Sequence, residues 1–281
     1  MIKNIFSQIL DRKRKAVAQL RADPSSRDFR ERALEFRKSV EPHRLLRALG
    51  SNSQRPNIIA EFKRRSPSAG IIRDDLTVGE IVRRYERGGA CAISILTDEE
   101  YFGGAILDLR AARSSTNLPL LRKDFIIDPI QIFEAALAGA DAVLLIVAAL
   151  DDLSLGELRA LSEDELGLDA LVEVHTSGEL RRALNAGARI IGVNNRDLST
   201  FQVSLNTSEH LIANAPRDRI MVSESGLHDP RSLRYLQALG FRGFLIGEAL
   251  MRAPDPAADL RDLLAAAEDP QPTEVSTGAR Q

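Results

Sequence analysis

Cysteine occurs once in the 281 residues, at Cys91, so an intrachain disulfide is excluded and a cytosolic compartment is the expectation. Histidine is scarce as well: the four are scattered and offer no metal-ligand spacing. Charge of one sign is also lacking. The net charge is −2 with Lys and Arg spread along the chain, which leaves no electrostatic footprint for nucleic acid or an anionic membrane. No apolar segment reaches the roughly 18 residues of a membrane span. A signal peptide is not expected, because the charged stretch 11–15 follows too short an apolar one. Hydrophobic residues at 44% and charged residues at 28% nevertheless suit a globular chain with a sizeable core.

Two rhythms divide the chain. Residues 1–50 read as helical, with Ile2, Ile5, Phe6, Ile9 and Leu10 at helical spacing, then Val17 and Leu20. A turn at Asp23-Pro24-Ser25-Ser26 precedes a second stripe (Phe29, Ala33, Leu34, Phe36), and 43–49 suggests a third helix stopped by Gly50. These stripes read as packing faces. The polar run 51–56 links them to the first strand.

From Ile58 short apolar strands alternate with amphipathic helices. Strands are expected over 58–63, 92–96, 119–123, 142–146, 170–174, 190–193, 220–223 and 243–246. Helices fit at 78–87, 105–114, 129–138, 155–165, 177–185, 208–214, 230–239 and 257–267. Several end in a repeated stop, Gly88-Gly89-Ala90, Ala138-Gly139-Ala140, Ala186-Gly187-Ala188 and Leu239-Gly240, because glycine suits the left-handed position that terminates a helix. Strands that are continuous apolar runs are parallel and covered on both faces. Eight such units point to an α/β fold, a single (β/α)8 barrel over 51–268 with an N-terminal helical extension over 1–50. An open doubly wound sheet is the alternative, weakened because no Gly-x-Gly-x-x-Gly follows an early strand. Residues 269–281, rich in Pro, Thr, Ser and Gly, read as a disordered tail.

A barrel of this kind builds its site at the C-terminal ends of its strands. Strand one reads Ile-Ile-Ala-Glu-Phe-Lys, placing Glu61 and Lys63 on one face, with Ser66 beyond. For that strand alone, a buried ion pair and a site are equally open readings. The other ends add Lys123 and Phe125, Glu173, Asn194 and Arg196, then Glu224, Ser225 and Gly226, and finally Gly247 and Glu248. Gly226 and Gly247 allow close backbone approach, and the loops after strands seven and eight are a recurrent phosphate site of barrels. Two lysines and at least two glutamates in one mouth suit proton transfer on a carbon skeleton, with Lys as acid and Glu as base. Arg196 can clamp a carboxylate and Phe125 can wall an apolar group. A Schiff base on Lys63 or Lys123 stays open on spacing alone.

Six segments in order carry a family resemblance: Ile-Ala-Glu-Phe-Lys-Arg-Arg-Ser-Pro-Ser, Ile-Leu-Thr-Asp-Glu-Glu-Tyr-Phe-Gly-Gly, Leu-Arg-Lys-Asp-Phe-Ile-Ile-Asp, Leu-Val-Glu-Val-His, Gly-Val-Asn-Asn-Arg-Asp-Leu and Ser-Glu-Ser-Gly. Together they resemble indole-3-glycerol phosphate synthase, from the helical N-terminus to about Pro254. The resemblance implies ring closure, decarboxylation and dehydration of 1-(2-carboxyphenylamino)-1-deoxyribulose 5-phosphate in tryptophan biosynthesis, with no metal or organic cofactor. It implies a cytoplasmic enzyme without nucleic-acid or membrane partners, and leaves association with other tryptophan-pathway enzymes open.

By motif position, Lys123 is similar to the family's general acid and Glu173 to the residue of later proton transfers. Lys63 matches a residue with acid and anion-binding roles, and Glu61 the partner that orients the lysines. Asn194 and Ser225 match polar residues holding substrate groups, and Glu224 is counted among the substrate contacts. Ser66 and Arg196 match the anchors of the anthranilate carboxylate. Pro67, Phe102, Phe125, Leu144 and Leu198 fall where the family lines its aromatic pocket, and Gly226, Gly247 and Glu248 where it holds phosphate. The family's helical extension lies over the barrel mouth. Ala105 and Ala69 depart from the expected serine and lysine, neither at a matched catalytic position.

Three other readings compete. A phosphoribosylanthranilate isomerase would need a Cys/Asp acid–base pair, and Cys91 reads as mid-strand without an aspartate. A Schiff-base aldolase would form a borohydride-trappable adduct. A non-catalytic binding barrel would be expected to have lost Lys63, Lys123 or Glu173, and all three are present.

Overall fold

The structure, a computed structural model, describes residues 5–51, 55–197 and 200–268. Ile2, Leu198 and the 269–281 segment, each given a role by the sequence, lie outside the described residues. The chain opens with helices α1 (Ile5–Ala22), α2 (Phe29–Arg37) and α3 (Arg44–Gly50). Eight strands come next: β1 (Asn57–Phe62), β2 (Ala92–Leu96), β3 (Leu120–Lys123), β4 (Ala142–Ile146), β5 (Asp169–Val174), β6 (Ile190–Asn194), β7 (Ile220–Glu224) and β8 (Gly243–Ile246). Their limits fall within one residue of those expected from the apolar runs. Each strand pairs in parallel with the next, and β8 pairs with β1 through Ala60 and Ile246, so the barrel is closed.

The continuous apolar runs have a plain cause. Ile59, Leu121, Leu171 and Val222 fill the barrel interior, while Ile58, Ile93, Val143, Val172 and Phe244 join the core beneath the helices. Both faces of each strand are therefore dry. The covering helices are α4 (Val78–Gly88), α5 (Glu99–Phe102), α6 (Ile106–Arg113), α7 (Pro129–Leu137), α8 (Asp152–Ala160), α9 (Ser177–Asn185), α10 (Asn206–Ile212), α11 (Pro230–Leu239), α12 (Glu248–Arg252) and α13 (Pro256–Glu268). Gly89 (φ 92°) and Gly139 (φ 90°) adopt the left-handed conformation that stops α4 and α7. No helix among the described residues is long and apolar enough to cross a membrane.

Some details differ from expectation for local reasons. The helix expected over 155–165 begins at Asp152, because Asp151 caps it by accepting from Ser154 N at 2.7 Å. Past Ala160 it widens into a π-type turn, Leu161–Glu165, in which buried Glu163 meets Arg159 and Arg189. Cys91, read as mid-strand, stands one residue before β2, where its N–H donates to Ile58 O at 2.9 Å. A small antiparallel hairpin, Arg65–Ser66 with Gly70–Ile71, folds the loop after β1 back on itself.

The three N-terminal helices serve different ends of the barrel. At the mouth, α1 brings Phe6 and Ile9 to the cavity, and its Lys13 Nζ lies 2.9 Å from Asp98 and 2.6 Å from Asp124. α2 packs along α7. α3 lies at the opposite end, where Leu45 and Leu49 plug the interior and Asn57 Nδ2 donates to Leu49 O at 3.0 Å.

Candidate active site

The strands deliver their last inward side chains to one cavity of about 720 Å³ at their C-terminal ends. Every residue to which the sequence assigns a site role lines it except Leu198, which is not among the described residues.

The charged floor comes from alternate strands. Glu61, next to last in β1, accepts from Lys63 Nζ at 2.7 Å, since a spacing of two returns Lys63 to the same face. Lys123, ending β3, donates to Glu173 Oε2 on β5 at 3.3 Å and lies 3.5 Å from Glu224 Oε2 on β7. Two glycines make room for these carboxylates. A Cβ on Gly247 would collide with Glu61 Oε1, and one on Gly192 with Glu224 Oε1. Gly247 thus has a steric duty beside the one expected of it. Gly192, inside β6, is absent from the residues the sequence points to: a glycine within an apolar strand is the only sign it leaves there.

Burial and charge compete here. Burial opposes a charged Lys123, but the carboxylates of Glu173, Glu224 and Glu61 outweigh it and hold the ammonium above its ordinary range. Burial also opposes a charged Glu173, yet Lys123 and His175 keep it below the usual carboxylate value. Glu224 resolves the other way. Desolvation, with Glu173 and Glu61 nearby, overrides Lys123 and pushes it up to about 8. Neither Glu224 oxygen accepts a hydrogen bond from a described group.

The polar wall is hinged on Asn194. Its Oδ1 accepts from Ser225 Oγ at 2.9 Å and from the Arg196 N–H at 3.0 Å. Ser225 sits at φ 68°, an uncommon conformation for a residue with a Cβ, followed by Gly226 at φ 77°. Asn195 holds this turn from behind. Its Nδ2 donates to Ser223 Oγ, Glu224 O and Ser225 O at 3.0, 3.0 and 3.2 Å, while Oδ1 accepts from Ser208 N at 3.1 Å. Sequence reasoning missed this residue, although the Asn-Asn pair in its motif is a signal for it. Arg196 Nη1 donates to Phe201 O at 3.2 Å and to Ser68 Oγ at 3.4 Å, linking the loops after β6 and β1.

The opposite wall is apolar. Phe125 stands between Phe6 and Phe102, with ring centroids 6.2 and 6.4 Å away, above Leu144, Ile146 and Pro67. In the sequence Phe6 and Ile9 read as a packing face that could at most cover a site, because a helical stripe does not reveal what it faces. At the far side Gly226 and Gly247 meet the start of α12, where Glu248 pairs with Arg252 at 3.1 Å. Among the described residues no group of three or more His, Cys, Asp or Glu is disposed to hold a metal ion.

The sequence profile of the family described as indole-3-glycerol phosphate synthase matches residues 6–263. An indole-3-glycerol phosphate synthase from Aromatoleum aromaticum (strain DSM 19018 / LMG 30748 / EbN1) is 49% identical over 206 residues, 73% of this chain and 78% of that one. Among solved structures, 3-hexulose-6-phosphate synthase from Salmonella typhimurium superposes with a TM-score of 0.59 at 15% identity, covering 75% of this chain and 98% of the other. Thiamine phosphate pyrophosphorylase from Pyrococcus furiosus gives 0.58 at 16% identity over 77% and 96%. At such identities these two speak to the fold alone.

Proposed function

The chain belongs to the indole-3-glycerol phosphate synthase family, and from that premise we propose how the residues of its mouth divide the reaction. The enzyme converts 1-(2-carboxyphenylamino)-1-deoxyribulose 5-phosphate to indole-3-glycerol phosphate, carbon dioxide and water. Three bond changes are needed: the ring carbon bearing the carboxylate attacks the sugar ketone, carbon dioxide leaves, and the new hydroxyl departs as water.

Attack on the ketone turns its oxygen toward alkoxide, and Lys123 supplies the proton. The observation that carries this reading is an ammonium on the cavity floor set 3.3 Å from Glu173 and 3.5 Å from Glu224. A lysine kept protonated carries the proton to give and has no free lone pair to attack with, which favours the acid role over a Schiff base. Loss of carbon dioxide sends its electron pair into the iminium of the substrate, so no external electron sink is called for. Glu173, kept ionised, then removes the ring proton whose loss completes the indole, as the hydroxyl leaves with a proton from a lysine. Glu61 fixes Lys63 and orients it toward the substrate's polar groups.

The walls position the substrate. Arg196, with Ser66, takes the anthranilate carboxylate, while Phe102, Phe125, Leu144 and Pro67 enclose its ring. Leu198 is assigned to the same wall. Asn194, Ser225 and Glu224 hold the sugar hydroxyls. Backbone N–H groups around Gly226, Gly247 and Glu248 receive the phosphate, so the acidic side chain of Glu248 need not touch it. α1 belongs to the mouth, as Phe6 and Ile9 extend the aromatic wall. A cytoplasmic setting and work without a metal or organic cofactor complete the reading.

The test is indole fluorescence from purified protein given the carboxyphenylamino-deoxyribulose phosphate in the presence of EDTA. The chain has no tryptophan, so its own background is low. A growing signal is expected. Folded protein that gives none would overturn the reading in favour of a binding barrel.

A further inference from the structure

One partly buried titratable group beside the site has no part in the chemistry above. His175 follows β5 by one residue and returns, two positions on, to the face of Glu173. It does not line the cavity. Its ring lies between two acidic groups at ion-pair distance, without a hydrogen bond to a described group: Nε2 is 3.5 Å from Glu173 Oε1, and Nδ1 is 3.4 Å from Glu179 Oε2. Glu179 is itself fixed. Its N–H is capped by Thr176 Oγ1 at 3.2 Å, and its Oε2 accepts from the backbone N–H of His175 at 2.6 Å.

Glu173 therefore stands between two cations, with Oε2 toward Lys123 and Oε1 toward the imidazole. The charged groups facing His175 are Glu173 from its own strand, Glu179 from α9 and Glu224 from β7. Burial opposes a charged ring, yet the acidic neighbours, Glu179 and Glu173 foremost, outweigh it and raise His175 above its ordinary value. Lys123 lies between Glu173 and Glu224, while Glu61 has Lys63, so a neutral residue at 175 would leave Glu173 with one shared ammonium.

We propose that His175 is a positioning residue for Glu173: its ring, set between Glu179 and Glu173, draws Oε1 to itself and so turns Oε2 toward Lys123. The inference rests on the reading of Glu173 as the base, and the test separates the two.

The pH profile of kcat/KM is measured for the wild type, His175→Gln and His175→Lys. In His175→Gln the acid limb should move up by roughly one pH unit, the effect expected when a carboxylate loses a close cation. KM above the limb should stay within about twofold, since the substrate cavity is untouched. His175→Lys should return the limb toward its wild-type position. An unmoved limb in His175→Gln, or an equal loss of kcat/KM at every pH, would overturn the proposal.

A second measurement needs no variant to be active. The imidazole 15N shifts of the wild type, with four histidines to assign, should show His175 titrating above the ordinary histidine value. A ring that titrates at or below that value would overturn the proposal even if His175→Gln failed to fold. Glu173→Gln serves as the control. If it keeps wild-type turnover, the reading of Glu173 as base fails; if it is inactive while the limb of His175→Gln stays put, only the clamp fails.

Discussion

Both ends of this barrel bury carboxylates, and they treat them in opposite ways. At the strand starts Asp141 accepts from Arg44 at 2.9 Å, from Arg113 at 2.9 Å and from Leu120 N at 3.0 Å. Asp169 accepts from Leu46 N at 2.9 Å and faces His43 at 3.2 Å. The Arg37 guanidinium donates to three carbonyls, at 2.8, 3.0 and 3.3 Å. At the mouth, Lys123 reaches Glu173 and Glu224 only at 3.3 and 3.5 Å, and Glu224 accepts no hydrogen bond from a described group. Short, fully hydrogen-bonded pairs offset the cost of burying charge; longer and unfilled ones do not. One end has committed its charges to the fold. The other keeps hydrogen-bonding capacity for a substrate.

That contrast is easiest to break with one change at each end. Lys123→Ala should lower turnover by about 10³-fold, within the usual range for losing a general acid, while leaving KM nearly as it was. Steady-state rates decide it, and a variant with normal turnover would end the acid assignment. Asp141→Ala should instead leave turnover per folded molecule unchanged and remove about 3 kcal/mol of stability, because Arg44 and Arg113 lose their shared partner. Its urea midpoint should fall with the slope constant. Should Lys123→Ala prove the less stable of the two, the division between the ends would fail.

The contrast is legible in the sequence only at one end. The barrel can be read because strands buried on both faces become unbroken apolar runs, and because glycine stops punctuate the helices. Charged residues at the ends of such runs then have to meet at the mouth, which is why Glu61, Lys63, Lys123 and Glu173 can be named. What stays hidden depends on contacts between distant segments. Nothing local says that Phe6 faces Phe125, that Lys13 meets Asp98 and Asp124, or that α3 plugs the opposite end rather than covering the mouth. Gly192 is silent until the carboxylate of Glu224 is placed against it from the neighbouring strand.

A smaller effect sharpens the picture within the mouth. Arg196 bridges to Ser68 and Phe201 rather than to an acid, so its charge is available to a carboxylate. Arg196→Ala should raise KM by roughly tenfold to a hundredfold, the loss of about 1.5–3 kcal/mol for a charged hydrogen-bonded contact, with kcat changed far less. An unchanged KM would argue against the carboxylate clamp and leave Ser66 alone in that role.

The smallest effect is a slope, and it asks directly whether the mouth holds an uncommitted group. Burial and its acidic neighbours push Glu224 up to about 8 from an ordinary 4.5. Between those values the folded chain keeps a proton that the unfolded chain has released. Stability must then fall as pH rises through the window, by at most about 1.4 kcal/mol per pH unit for one proton. Glu224→Gln keeps the shape and removes the titration, so its denaturation midpoint should decline less steeply between pH 5 and 8 than that of the wild type. Parallel slopes would mean that Glu224 is already ionised and matched by Lys123, and the mouth would then resemble the strand-start end in how it balances its charge.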